Sequence, residues 1–442
     1  MIKKRWKRVV LTLGLIIATA HLYLSLFAVQ ERTFIREGRR LDSYVIRGIS
    51  TLQPPKVTGH AVVAINMDGG IFYRLNETLS TRNPNLPASA DMISNVTHST
   101  RHTPHTLKIA SVDNDKVIQI LIIAYIRSGS SLTGDILQQD PDSFYVYEPL
   151  HFTEKMGKKI KKVQLLNGKF VNIDKPQFYN RSFTIMNSYF DCDLSALDFR
   201  TLVHGFQTFG NKTNRFIQCY VNKTGQKINK RLSAQLCGVE LKEMCQKSKF
   251  RAIKTIRIPM LYAEVYLKRY PNLKVIHLVR DPRAQVNSID SLANTTKYNR
   301  GFAKQKCGAM ESDFYYSELY RTRYPGRVMR LYYEDLASSP IQTSKSLYDF
   351  TGMNFNPVVR DYIRSITSTG VDSCAICSKR ANSSEHVQKW RHKMGFSDVQ
   401  LIDKECQSVY DHYGFLPART EEELRDLNIP LRRTYVKNSP IK

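Results

Sequence analysis

Val117–Gly134, VIQILIIAYIRSGSSLTG, is the stretch on which the fold turns. Val117 to Ile126 is a continuous, β-branched apolar run rather than an alternating one. A strand apolar at nearly every position is buried on both faces, as strands of parallel sheets are. The run ends in Arg127-Ser-Gly-Ser-Ser-Leu-Thr-Gly134, and Asp135 to Gln139 reads as helical. Strand, tight loop of small residues and helix start together make an anion site, because successive backbone N–H groups point inward and the helix N-terminus adds partial positive charge. Ser128, Gly129, Ser130 and Ser131 keep the loop small and supply hydroxyls, while Arg127 supplies a full charge with a bidentate fork. G-x-x-x-x-G-K-[ST] is absent, which disfavours an ordinary P-loop kinase.

Working outward, further buried strands are expected at Tyr145–Tyr147, Ala252–Ile258, Lys274–Val279 and Val328–Tyr333, with helices at about Leu261–Arg269 and from about Ala284. Strands alternating with helices imply an α/β fold with a mainly parallel sheet, whose ligands sit at the carboxyl ends of the strands. The strand at Lys274–Val279 runs into a second candidate anion loop, Arg280, Asp281, Pro282 and Arg283, followed by Ala284, Gln285, Val286, Asn287 and Ser288. Pro282 suits a first helical turn, where its missing N–H costs nothing. Arg280 and Ser288 are placed to converge on an anion; a plain salt bridge between Arg280 and Asp281 is the competing reading. Two such loops at the ends of two strands imply a ligand with two separated phosphate groups.

The chain has 442 residues, 42% hydrophobic and 24% charged, which excludes a disordered, collagen-like or many-pass membrane protein. Its 66 Lys and Arg against 39 Asp and Glu leave a formal charge of +27, which calls for a polyanionic partner. Compartment narrows the choice. Lys3, Lys4, Arg5, Lys7 and Arg8 precede an apolar run, Val9 to Val29, that spans roughly 31 Å as a helix. The positive-inside rule leaves residues 1–8 in the cytosol and puts the rest in the lumen, as a type II signal-anchor at 9–29. Residues 30–115 read as a Ser/Thr/Asn/Pro-rich stem with one short apolar piece, Ala61–Ile65, and 116–442 as the catalytic domain. Sequons at Asn76, Asn95, Asn180, Asn211, Asn222, Asn294 and Asn382 agree with a luminal location, which also removes nucleic acid as the partner. A secretory compartment favours disulfides among the eight Cys, in any of 105 connectivities. Cys374-x-x-Cys377 has no second ligand pair nearby, so structural disulfides are preferred there over zinc.

R-S-G-S-S followed by F-Y-V-Y-E-P-L-H (144–151), A-I-K-T-I-R-I-P (252–259), V-I-H-L-V-R-D-P-R-A (275–284), Y-E-D-L (333–336) and Trp390-Arg391 resembles the Golgi carbohydrate sulfotransferases. More narrowly, the set is similar to the galactose/N-acetylgalactosamine/N-acetylglucosamine 6-O-sulfotransferases. Cys192-Asp-Leu194 and Glu421-Glu-Glu-Leu424 are most like the keratan sulfate galactose 6-sulfotransferase branch. The resemblance implies a P-loop-like sulfotransferase fold and the donor 3′-phosphoadenosine 5′-phosphosulfate, with no metal. It implies that Arg127, Ser128, Gly129, Ser130, Ser131, Leu132 and Thr133 hold the 5′-phosphosulfate and that Arg280 to Ser288 hold the 3′-phosphate, with Arg391 as a further contact. Leu132-Thr133 and Ile289 depart from the family pattern, which has an aromatic residue and an arginine there.

The implied reaction is in-line sulfuryl transfer to a sugar 6-hydroxyl, driven by positioning and charge stabilisation. Arg127 would stabilise charge on the departing phosphate. Glu148 is the first candidate for general base and His151 the second; a structural carboxylate orienting Arg127 is the competing role for Glu148. The acceptor is expected to be an anionic glycan or glycosaminoglycan, and a homodimer is compatible with the family. Lys155, Lys158, Lys159, Lys161 and Lys162 would line a track for it, or form a solvated helix face; Lys379, Arg380, Lys389, Arg391 and Lys393 form a second cluster. The alternative function is a catalytically inactive luminal glycan-binding protein that has kept the fold.

Overall fold

A computed structural model describes residues 116–157, 159–174, 177–293, 300–371 and 378–433, together with two strands of the preceding segment. Those strands, β1 (Val62–Ile65) and β2 (Ile71–Arg74), form an antiparallel hairpin within a compact unit of their own, Arg36–Ile109. The apolar piece at 61–65 is thus one arm of a hairpin. The apolar run 9–29 and Cys374 and Cys377 lie outside the described residues, and among the described residues no helix is long and apolar enough to cross a membrane.

The larger unit is built on five parallel strands: β3 (Ile118–Ile123), β4 (Ser143–Tyr147), β7 (Phe250–Thr255), β8 (Lys274–Val279) and β9 (Val328–Tyr332). Their order is β4-β7-β3-β8-β9, with every pairing parallel. The strand that begins the domain therefore lies at its centre. The chain moves from β3 toward one edge and later returns to build the other, so a crevice opens at the carboxyl end of β3. β5 (Lys162–Gln164) and β6 (Phe170–Asn172) make a small separate hairpin.

Burial explains the continuous apolar run. Leu121 and Ile123 pack into a core on one face of the sheet and Ile120 and Ile122 into a core on the other. The first face is covered by α3 (Phe178–Phe190), α4 (Asn211–Gly225), α5 (Lys230–Gln246) and α6 (Ala263–Arg269), whose buried residues include Ile185, Phe216, Leu241 and Leu267. The second face holds α1 (Ser130–Leu137), α9 (Tyr333–Ser338), α10 (Pro340–Thr351) and α11 (Pro357–Thr367). A third apolar cluster joins α7 (Pro282–Ala293) and α8 (Arg300–Arg323) to the C-terminal residues around Trp390, Val399 and Tyr413. The remaining site helix, α2 (His151–Met156), follows β4.

Three disulfides bind these layers: Cys192–Cys245, Cys219–Cys237 between α4 and α5, and Cys307–Cys406. The last closes 99 residues of sequence and ties α8 to the C-terminal layer. Asn180, Asn211, Asn222 and Asn382 are all exposed.

Candidate active site

The first loop is shaped by two residues with positive φ, Arg127 at 64° and Gly129 at 88°. Gly129 is required, since any Cβ there would collide with the Tyr333 ring. The Ser128 hydroxyl donates to the Tyr125 carbonyl at 2.7 Å and accepts from the Tyr125 N–H at 3.2 Å, which closes the turn. Helix α1 then begins at Ser130, five residues earlier than the sequence suggested, with no side-chain cap and no acidic residue in its first turn. Its leading N–H groups are left to an outside acceptor, as anion sites require.

The second loop follows β8, the neighbour of β3, and the two loops touch. Arg127 Nε donates to Ser288 Oγ at 2.9 Å, and Arg280 Nη1 donates to the Arg127 carbonyl at 2.8 Å. The Arg280 guanidinium stacks 4.3 Å above the Tyr333 ring, the same ring that packs on Gly129. Asp281 N–H donates to Glu334 Oε1 at 2.9 Å. The Y-E-D-L segment is therefore the floor of both loops, a role its sequence gave no sign of. Arg280 is buried, and its Nε has no partner among the described residues. An arginine N–H buried without an acceptor is costly unless a ligand supplies one.

Two members of the second motif, and Arg391, have other work. Arg283 is fully buried; it pairs with Asp281 at 2.8 Å and Asp403 at 3.2 Å and donates to the Leu416 carbonyl. Asp281 is thus the partner of Arg283 rather than of Arg280. Arg391 is also fully buried, and its N–H groups reach the carbonyls of Glu423, Leu424, Asp426 and Ile429. The expected donor contact from Arg391 is replaced by a clamp on the C-terminal turn. Gln285 is buried and bonded to the Arg280 carbonyl, and Ala284 and Val286 are core.

Glu148 lies at the carboxyl end of β4, two strands from β3, with φ of 50° and almost no exposure. Its Oε1 accepts from Lys254 at 2.6 Å and its Oε2 from Arg257. It does not orient Arg127, as the competing reading had it; it pairs with two cations brought by β7 and its loop. Arg257 also donates to Glu154 at 2.8 Å and to His151 Nδ1 at 2.5 Å. Burial first, and the Arg257 charge second, hold His151 far below the usual imidazole range. A neutral ring that accepts at Nδ1 carries its proton on Nε2, so His151 can donate there but not take a proton. His204 is pulled down to about 4, again by burial and then Arg257.

A bridge links this cluster to the first loop. Ser131 Oγ and Tyr147 Oη are 3.1 Å apart, and Lys254 Nζ lies 4.2 Å over the Tyr147 ring. Tyr147 stacks on Phe209 at 4.7 Å, and His151 packs against Phe206 and His204. The lysine run beyond it does not form a helix face: Lys155 is on α2, Lys159 and Lys161 are exposed in the connection that follows, and Lys162 opens β5. Sequence reasoning overlooked Lys254, Arg257, Glu154, His204, Tyr333 and Glu334. The signal for the first two was a lysine and an arginine inside the otherwise apolar stretch 252–259. Among the described residues, no cluster of His, Cys, Asp and Glu could hold a metal.

A central parallel sheet with two touching basic loops at its carboxyl edge agrees with the comparisons with known proteins. The sulfotransferase family model matches residues 119–357, and the chain belongs to that family. Its relatives are carbohydrate sulfotransferases. It is 27% identical over 359 residues to carbohydrate sulfotransferase 1 of Danio rerio, covering 72% of this chain and 83% of the relative. It is 29% identical over 346 residues to human carbohydrate sulfotransferase 3, covering 71% and 70%, and 25% identical over 350 residues to human carbohydrate sulfotransferase 6, covering 71% and 85%. These identities are too close to select a branch. Among solved structures, the sulfotransferase domain of the Synechococcus PCC 7002 olefin synthase matches with a TM-score of 0.36 at 17% identity, over 65% of this chain and 93% of that one.

Proposed function

We propose that this sulfotransferase moves the sulfuryl group of 3′-phosphoadenosine 5′-phosphosulfate to the 6-hydroxyl of a galactose, N-acetylgalactosamine or N-acetylglucosamine unit in a keratan- or chondroitin-type glycan. The observation that carries the proposal is the contact of the two basic loops through Arg127, Ser288 and Arg280 at the ends of adjacent strands. The buried, unpartnered Arg280 Nε and the uncapped start of α1 fit a ligand with two phosphate groups.

With the donor over β3 and β8, the acceptor enters from the β7 and β4 side. There the rings of Tyr147, Phe206 and Phe209 offer apolar surface to a sugar face, and Phe209 is partly exposed. Glu148 accepts the hydroxyl proton as the hydroxyl oxygen bonds to sulfur, and the bond from sulfur to the 5′-phosphate oxygen breaks. The negative charge left on that phosphate falls to Arg127 and the N–H groups of α1. A carboxylate has about four acceptor sites, so the bonds from Lys254 and Arg257 leave room for the hydroxyl. His151, a donor at Nε2, orients the acceptor instead of acting as base.

Three disulfides and four exposed sequons support a luminal domain, which goes with a type II anchor at 9–29, a stem to 115 and residence in the Golgi membrane. The test is transfer of ³⁵S from labelled donor to desulfated glycans. Label transferred by the wild type but not by R127A is expected; nucleotide binding without transfer to any acceptor would favour an inactive glycan-binding relative.

A further inference from the structure

Lys306 lies behind the two loops, on α8, in a position that the reaction does not explain. The residue is nine-tenths buried, and its ammonium lies 5.9 Å from the centre of the Tyr125 ring, at the root of the first loop. The charge that acts on it is that of Arg280, at the root of the second. Among the described residues, the ion pairs of this region are Arg283 with Asp281 and Asp403, and none includes Lys306 or Arg280. Of the nearby carboxylates, Asp313 is held by other donors, while Glu334 lies within reach of the Arg280 charge and keeps its Oε2 without a hydrogen-bond partner among the described residues. Asp313, two turns along α8, accepts from the Tyr125 hydroxyl at 2.9 Å and from the Met260 N–H at 2.8 Å, and Glu334 accepts from the Asp281 N–H. His277 on β8 meets the far end of the same Tyr125 hydroxyl at 2.9 Å. Lys306 and Arg280 are thus two buried cations that repel each other and lose hydration, and among the described residues Lys306 has no carboxylate to offset this. Such a pair is stable once a dianion sits between them.

We infer that Lys306 is a third cation of the donor site and binds, with Arg280, the 3′-phosphate of the nucleotide. This inference rests on the proposed donor and extends it to a residue outside both loop motifs. Burial and then the Arg280 charge lower the ammonium to about 7 in the free protein, so Lys306 is largely neutral at pH 8.5. A bound phosphate dianion restores its proton, and the phosphate, with a second pKa near 6, takes up none itself at that pH. Nucleotide binding is therefore coupled to proton uptake.

The experiment is calorimetric titration of the folded luminal protein with adenosine 3′,5′-bisphosphate and with 5′-AMP at pH 8.5, in buffers of different ionisation enthalpy. The wild type is expected to take up close to one proton with the bisphosphate and none with 5′-AMP. K306M is expected to bind the bisphosphate about tenfold or more weakly without uptake, while its 5′-AMP affinity is unchanged. K306R, always charged, is expected to recover affinity without uptake. Wild-type affinity and uptake in K306M would overturn the role of Lys306 while leaving the donor reading intact. Failure of the wild type to bind the bisphosphate at all would overturn the donor reading itself.

Discussion

Arg127 and Ser288, 161 residues apart in sequence, are joined by a 2.9 Å hydrogen bond from Nε to Oγ. The bond crosses from the loop after β3 to the helix after β8, so neither loop is positioned alone. Removing the Arg127 side chain takes away both a full charge at the reacting phosphate and the link that sets the spacing of the two loops. R127A is expected to lower kcat by about a hundredfold or more, the range seen when a preorganised charge-stabilising donor is deleted. R127K keeps the charge and loses the fork, and should fall between. S288A should raise the donor KM with a smaller change in kcat. Steady-state kinetics on all three variants checks the ordering.

Glu148 sits in a different balance. Its ion pairs with Lys254 and Arg257 are buried, so replacing it with alanine would leave Lys254 unpaired and Arg257 with Glu154 alone, at a cost of about 3–5 kcal/mol. E148Q preserves shape and some hydrogen bonding and is the better probe. It is expected to bind nucleotide as the wild type does and to lose turnover by about a hundredfold or more. Wild-type turnover in a folded E148Q would reduce the residue to a structural carboxylate. H151N is expected to raise the acceptor KM without moving the acid limb of the pH–rate profile, because His151 is already neutral throughout that range.

Three buried arginines of the second half separate by the same logic. Arg283 and Arg391 spread their N–H groups over carboxylates and carbonyls, whereas Arg280 donates to the Arg127 carbonyl and keeps its Nε without a partner among the described residues. R283A is expected to destabilise the protein by about 3–5 kcal/mol in urea unfolding, because it strands the carboxylates of Asp281 and Asp403. R391A strands four carbonyl partners and should likewise lower stability, with nucleotide affinity of the folded fraction retained. R280A should do the reverse: near-normal stability and a large loss of nucleotide affinity.

The Cys307–Cys406 disulfide closes a long segment, and chain-entropy reasoning assigns such a link about 4–5 kcal/mol. The double variant C307A/C406A is expected to be less stable by that amount in denaturant unfolding, with a correspondingly lower midpoint. Because the link ties α8 to the C-terminal layer, loss of nucleotide affinity through Lys306 should accompany the loss of stability.

What the sequence disclosed followed from burial on both sides of the sheet. β3 and β8 were legible because strands covered on two faces are apolar at nearly every position, β8 over the residues it occupies, while β7 and β9 were legible despite Lys254 and Arg330 within them. The start of α1 was misplaced because Ser130 to Gly134 has the composition of a turn; the segment is helical, and Gly134 lets the Tyr145 hydroxyl pack against it. Helices α3 to α5 were not read at all. Their polar outer faces blur the apolar period, and the disulfides Cys192–Cys245 and Cys219–Cys237 supply part of what a broader apolar stripe would otherwise provide. Within the candidate site, Arg127, Arg280 and Glu148 stood out because charge at strand ends is conspicuous, and the structure brings Arg127 and Arg280 together with Ser288. The resemblance implied that Arg283 and Arg391 hold the donor, and nothing local marks that Arg283 is taken by Asp281 and Asp403, or Arg391 by carbonyls more than 30 residues away. Lys254 and Arg257 were passed over because their partner, Glu148, is more than a hundred residues earlier in sequence.

The most direct test is the position of sulfate in the product. A secreted form beginning near Gln30, given ³⁵S-labelled 3′-phosphoadenosine 5′-phosphosulfate and desulfated keratan, chondroitin and N-acetylglucosamine-terminated acceptors, is expected to place label on a 6-hydroxyl, as read by disaccharide analysis, and R127A to place none. Label at another hydroxyl would contradict the 6-O assignment, and no label on any acceptor together with no binding of adenosine 3′,5′-bisphosphate would contradict the transferase reading as a whole.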